Sequence, residues 1–273
     1  MSLIYGPTCG LSARSAAMTR LLILGGLDPS GGAGVTVDAT VAALHEVKPL
    51  PVALTATVQS LRGFDRAEPI PAAVWRAQVT AVLADGPVAA VKIGFLGDAA
   101  LVADVAAVLE PLAPEVPVVV DPVLSATAGG MEPGAALVAA YREHLAPLAA
   151  LVTPNVHELQ ALAAGAPAAL LAAGAGAVLR KGGHGTGAEA VDELWIDGAS
   201  TRWARPRLGC GPVRGTGCAL ASAIASRLAR GAPLPAACAR AGDWLASLLG
   251  RVEPRRDGLP QVLPLSRAGT APR

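Results

Sequence analysis

The chain has 273 residues, 52% of them apolar and 16% charged, and its 22 Lys and Arg against 21 Asp and Glu leave a formal charge of +1. That balance excludes a disordered tail, which is poor in apolar residues and far from neutral, and the length allows a core that no small disulfide-stapled scaffold can bury. Near-neutrality offers no field to draw nucleic acid or an anionic membrane, and 3% aromatics supply neither a base-stacking surface nor a membrane belt.

Residues 1–18 look unlike the rest of the chain and are expected to form a loose extension, with Met18 a candidate start. Arg14 and Arg20 flank no apolar segment with a small-residue cleavage site. Beyond them, apolar runs rich in Val, Ile and Leu stand at Leu21–Leu24, Val52–Val58, Val88–Ile93, Val116–Val120, Ala150–Val152 and Gly176–Leu179. Without polar alternation, they read as strands buried on both faces. Between them, Ala33–Glu46, Pro71–Ala84, Asp98–Leu109, Pro133–His144 and Asn155–Ala164 read as helices, Pro71 and Pro133 as first-turn prolines. This β-α alternation predicts a mainly parallel sheet with helices on both faces, a three-layer α/β/α domain. The uncharged stretch Gln160–Leu179 is broken by Gly165, Pro167, Gly174 and Gly176, so it reads as helix, turn and strand rather than a membrane span. Glu193–Ile196 and Thr201–Ala204, joined through Asp197-Gly198, predict a late hairpin. Helices over Thr216–Arg230 and Pro235–Leu249 come next, then an irregular tail. The whole reads as one domain over 19–250, with 251–273 outside it.

The four cysteines, Cys9, Cys210, Cys218 and Cys238, form no C-x-x-C pair and no zinc spacing. A reducing cytoplasm is the simpler setting.

The chemistry-bearing segments lie at predicted strand ends, where α/β sheets bind ligands. Asp28-Pro29-Ser30-Gly31-Gly32-Ala33-Gly34 joins a strand to a helix and lets backbone approach a ligand, although a plain chain reversal needs the same glycines. It is neither G-x-G-x-x-G nor a Walker A loop. Gln59 ends an apolar run and needs partners if buried. Lys92-Ile93-Gly94-Phe95 suits a cleft wall, with core packing of Phe95 the alternative. Asp121 lands at a strand's carboxyl edge as a metal-organising acid or a loop cap. Thr153-Pro154-Asn155-x-x-Glu158 fits a capping box, or an amide and carboxylate ordering Mg²⁺ through water. Lys181, before Gly182-Gly183-His184, is a point cation for phosphate or a solvated lysine. Arg214-Gly215-Thr216-Gly217-Cys218 runs into a long helix whose free amides make an anion site. There the helix dipole is expected to favour a Cys218 thiolate, against the alternative of a buried thiol.

Together and in this order, these motifs resemble the bacterial hydroxymethylpyrimidine and phosphomethylpyrimidine kinase family of thiamine biosynthesis, within the ribokinase-like superfamily. The resemblance covers about residues 20–250. It implies ATP- and Mg²⁺-dependent phosphorylation of a hydroxymethylpyrimidine and then of its monophosphate, by a cytoplasmic homodimer with small-molecule partners only. It implies that Gln59, Asp38, Gly26 and Phe95 hold the pyrimidine. Gly215, Thr216, Gly217 and Cys218 would form an anion cradle, with Cys218 beside the acceptor hydroxyl where many superfamily members carry Asp. Asn155, Glu158, Lys181 and Thr216 would face the nucleotide, and Asp121 and Glu158 would organise the metal. The alternatives are a pyridoxal or related vitamin kinase of the same fold and a non-catalytic pyrimidine sensor. The sequence departs from the family pattern at Arg214 for His, Val213 for Thr and Phe95 for Met. The stretch between Glu158 and Lys181 is also short, and Ala168–Ala173 leaves little room for the expected helix.

Overall fold

A computed structural model describes residues 18–124, 134–253 and 255–265. Its strands are β1 (Arg20–Leu27), β2 (Lys48–Ser60), β3 (Gly63–Pro69), β4 (Ala90–Ile93), β5 (Val118–Val120), β6 (Leu151–Val152), β7 (Val178–Arg180), β8 (Glu189–Ile196) and β9 (Ala199–Pro206). They form one nine-stranded sheet in the order β3-β2-β1-β4-β5-β6-β7-β8-β9. The strands from β2 to β7 run parallel, and antiparallel β3 on one side and β8–β9 on the other complete it.

The period of two along β1 sends Leu22 and Leu24 to one face and Leu21 and Ile23 to the other. Against the first face pack α2 (Ala72–Ala84), α3 (Ala99–Leu109), α4 (Ala135–Ala140), α5 (Val156–Ala163) and α6 (Pro167–Ala172); against the second pack α1 (Gly34–Leu44), α7 (Thr216–Ala229) and α8 (Leu234–Leu249). The helix α4 continues through a π-helical turn, Tyr141–Leu145, and a 3₁₀ turn, Ala146–Leu148. This is the expected three-layer arrangement. It brings the carboxyl ends of β1, β4, β5, β6 and β7 to one edge, where Asp28, Gly94, Asp121, Thr153 and Lys181 succeed them in the chain.

Several expectations need correction. The Gly63–Pro69 strand was not anticipated: it is an exposed edge whose sequence, GFDRAEP, carries no apolar run. The hairpin is longer at both open ends than its apolar part suggests. The helix expected to be squeezed out between Glu158 and Lys181 is present as α6, a short helix started by Pro167 and seated by buried Leu170. Within the segment expected to be irregular, β11 (Gln261–Val262) pairs in parallel with β10 (Val213–Arg214), beside the glycine turn that precedes α7. Pro71 sits one residue earlier than expected, as the N-cap of α2. The Pro133 reading, Cys9 and the extension before Met18 lie outside the described residues.

Candidate active site

A cleft of about 660 Å³ runs along the carboxyl edge of the sheet, from Gln59 and Phe64 at one end to His157 and His184 at the other. Every site residue expected from the sequence lines it: Gly26, Asp38, Gln59, Phe95, Asp121, Asn155, Glu158, Lys181 and the run from Gly215 to Cys218. Their roles within it differ.

Gly215 caps α7 with φ 77, and no side chain caps the helix. A Cβ at Gly215 would stand 2.3 Å from the Gly32 carbonyl oxygen, so only glycine lets this turn meet the turn that comes after β1. The two glycine-rich motifs therefore form one surface. The first amides of α7 lack side-chain acceptors there, which favours an anion at that end. Lys181 Nζ lies 3.3 Å from where a Gly217 Cβ would stand.

Beside this turn, Lys181 Nζ donates to Asp121 Oδ1 at 2.7 Å and lies 3.5 Å from Glu158 Oε2. Burial opposes the Lys181 charge, but Asp121 and Glu158 outweigh it and hold the ammonium above the ordinary lysine value. Burial pushes Glu158 up from the usual carboxylate range, with Lys181 pulling the other way. Asp121 is buried, and its Oδ2 has no hydrogen-bond partner. An unpartnered carboxylate oxygen beside an open anion turn suits a hydrated divalent cation. No three His, Cys, Asp or Glu among the described residues group as a metal cage.

The capping reading of Asn155 and Glu158 is realised in full. Asn155 Oδ1 accepts from the amides of His157 and Glu158 at 2.8 and 2.9 Å, and Glu158 Oε2 accepts from the Asn155 amide at 2.7 Å. The same Glu158 oxygen faces Lys181, so cap and charge cluster share one carboxylate.

Asp38 is buried in the floor of the cleft. Its Oδ2 accepts from Lys92 Nζ at 2.7 Å and its Oδ1 from Ser222 Oγ at 2.8 Å. Burial raises Asp38 from its usual value, while Asp38 and Asp121 hold Lys92 charged against burial. Both carboxylate oxygens are thus occupied, and Asp38 serves as counter-ion to a lysine in the cleft floor.

The Cys218 thiolate is not what these surroundings favour. Burial pushes the thiol up to about 12, Asp38 and Asp121 act in the same direction, and Lys92 and the Gly34 amide offset only part of it. Desolvation outweighs the helix terminus here, so Cys218 rests as a neutral thiol.

At the Gln59 end, Phe95 lies over Gly26, where a Cβ would come within 3.0 Å of its ring. Phe64 packs edge-on against Phe95 with ring centroids 6.5 Å apart. Phe64 escaped sequence reasoning because its strand did. The available signal was rarity, since the chain holds only 2 phenylalanines and both line the cleft. Two further contacts join residues too far apart in the chain to be paired from the sequence. His157 and His184 meet edge to face at 5.7 Å. Arg214 is buried, and donates to the Ser60 carbonyl at 2.6 Å and to Gln59 Oε1 at 3.0 Å.

Comparison with known proteins adds a second kind of observation. The sequence model described as phosphomethylpyrimidine kinase matches residues 28–256. The hydroxymethylpyrimidine/phosphomethylpyrimidine kinase of Rhizobium meliloti is 37% identical over 246 residues, covering 85% of this chain and 91% of that protein. The thiamine biosynthesis bifunctional protein ThiED of Geobacter sulfurreducens is 36% identical over 244 residues, 86% of this chain, which spans about 50% of that longer protein. Among solved structures, an ADP complex of Bacillus subtilis pyridoxal kinase superposes with a TM-score of 0.80 at 25% identity, covering 92% of this chain and 99% of that one.

Proposed function

The chain belongs to the phosphomethylpyrimidine kinase family, and from that premise we propose how its residues divide the work of phosphorylating a hydroxymethylpyrimidine and then its monophosphate. The observation that carries the assignment is the junction of Asp121, Lys181 and the uncapped turn at Gly215–Cys218. There a cation, an unpartnered carboxylate oxygen and open amides converge at the end of a parallel sheet. Phosphoryl transfer asks mainly for positioning and charge stabilisation, which this arrangement supplies.

ATP, when bound, supplies the phosphoryl group, and Mg²⁺ neutralises its charge. Asp121 and Glu158 would hold the metal, largely through water. Lys181, Asn155 and Thr216 would face the nucleotide. The α7 amides at Gly215–Cys218 would stabilise the phosphoryl in transit. Gln59, Phe95 and Phe64 would hold the acceptor ring, with Gly26 making room for Phe95. Cys218 would border the acceptor hydroxyl as a neutral thiol, shaping the approach rather than taking the proton. A loose transition state makes little demand on a base, because the hydroxyl proton leaves late. Asp38 would support the site through Lys92 without touching the ring.

We take the protein as a cytoplasmic homodimer with an N-terminal extension before residue 19 and one catalytic domain that continues past residue 250 through β11. Among the described residues, no helix is long and apolar enough to cross a membrane. The deciding experiment supplies ATP with hydroxymethylpyrimidine, its monophosphate or pyridoxal, each separately, and weighs the products. We expect ATP-dependent gain of one phosphoryl by each pyrimidine. Turnover of pyridoxal alone would transfer the site to the vitamin-kinase reading, and binding without ADP formation would make it a sensor.

A further inference from the structure

Resting on the acceptor-ring assignment above, we propose that Arg214 is a specificity-determining positioning residue. It fixes the polarity of Gln59, so that this wall of the cleft presents N–H and selects a ring nitrogen that bears a lone pair. The observation is a hydrogen bond whose direction allows one choice. A guanidinium has five donors and no acceptor. Arg214 Nη2 lies 3.0 Å from the Gln59 side chain, so only the carboxamide oxygen can face it. The end of Gln59 left to meet a ligand is its NH₂ group. An imidazole at position 214 could donate or accept, and would leave Gln59 free to turn either end outward.

The clamp is rigid for reasons visible around it. Arg214 is 7% exposed. Its Nη1 is tied to the Ser60 carbonyl at 2.6 Å, and Asp28 Oδ2 stands 3.9 Å from its Nη2. The backbone of Arg214 is held by the β10–β11 pairing. Gln59 itself pairs with Phe64 across the β2–β3 hairpin, and the Phe64 ring meets Phe95. An aromatic slot and an oriented amide therefore share one wall. Such a wall suits a flat heteroaromatic ring whose edge carries an unprotonated nitrogen, and it opposes a ring that offers N–H there, because two donors would then be buried face to face.

The test measures calorimetric affinity, without ATP, for hydroxymethylpyrimidine and for two pyridine analogues in which either ring nitrogen is replaced by C–H. The intact protein should bind the parent roughly ten- to a hundredfold more tightly than one of the two analogues, the scale of losing a buried hydrogen bond. In Arg214→Met, that ratio should fall to within about threefold, because Gln59 can then turn. Gln59→Glu keeps the tie to Arg214 but removes the donor. It should weaken the parent roughly tenfold or more while barely changing the analogue that lacks the recognised nitrogen, and it decides the matter if the Arg214 variant does not fold. An unchanged ratio in either folded variant, equal binding of all three compounds by the intact protein, or no binding at all would overturn the proposal. Selective binding without ADP formation on adding ATP would instead sink the kinase reading and leave this one standing.

Discussion

Replacing Asp38 by Asn isolates what the buried pair beneath the cleft contributes. The Lys92 ammonium lies 2.7 Å from Asp38, and the two side chains are 0% and 1% exposed. At that distance, with an effective interior dielectric near 20, the attraction is about 6 kcal/mol. Asn keeps the volume and an acceptor for Ser222, but leaves the Lys92 charge without its nearest counter-ion. Asp121 still favours that charge from farther away, so the loss should fall below the full attraction, at about 3–5 kcal/mol. In a domain of this size each kcal/mol moves Tm by about 2–4 °C, so Asp38→Asn should melt about 6–20 °C lower. Removing both charges with Asp38→Leu and Lys92→Met should restore stability to within about 1 kcal/mol of the parent, since the packed apolar pair has no charge to desolvate. Urea unfolding monitored by circular dichroism gives both numbers. An Asn variant within 1 kcal/mol of the parent, or a double variant as unstable as the single one, would refute the reasoning and return Asp38 to the ligand.

Lys181→Ala should cut turnover roughly tenfold to a thousandfold, the scale of losing one preorganised cation or donor, while calorimetry finds pyrimidine affinity nearly intact; collapse of that affinity with turnover preserved would misplace Lys181. Cys218, with its thiol moved from 9.0 to about 12, should carry about a thousandfold less thiolate than an ordinary cysteine near neutral pH. Iodoacetamide labelling of Cys218, read by mass spectrometry, should therefore keep rising with pH beyond 9, and a plateau below pH 8 would reinstate the thiolate. His45 is buried against Trp244, its rings 4.8 Å apart, and burial with Arg227 and Arg230 lowers it from 6.5 to about 4. The unfolded chain binds that proton first, so stability is full above pH 6.5 and falls by about 3 kcal/mol as pH drops to 4. Below that no further loss comes from His45, and a His45→Phe variant whose stability falls just as steeply over the window would exclude it as the cause.

Most parallel strands were legible because both their faces are buried, as along Val118–Val120, which has no other use for its residues, whereas β2 leaves Pro51 and Val58 exposed. Edges are another matter. Gly63–Pro69 is a strand only because β2 offers it a ladder, and its charged side chains face solvent. The two-residue strands β10 and β11 exist only as a pairing between positions nearly fifty residues apart. In the site, the glycine turns and the residues after each strand announced themselves, since chain direction alone carries them to one edge. The partners they meet there did not. Asp38 has the look of a ligand group in the sequence, and only the fold brings Lys92, 54 residues along the chain, to hold it. Cys218 looked like a thiolate because a helix terminus is local and readable, whereas the desolvation and the Asp38 and Asp121 carboxylates that oppose it come from distant parts of the chain. The Arg214 substitution was visible as a departure, but its bond to Gln59 joins residues 155 positions apart.

The distant pairing of Gln261–Val262 with Val213–Arg214 also sets an order of events during synthesis. Domains fold as the chain emerges, N-terminal parts first. Here every strand of the nine-stranded sheet and every helix of both layers precedes β11 in the chain. The segment leading into the phosphate turn, however, gains its ladder partner only when position 262 is free. The strand before the phosphate turn is thus the last part of the cleft to gain its backbone partner, after the sheet and helices around it have already been synthesised.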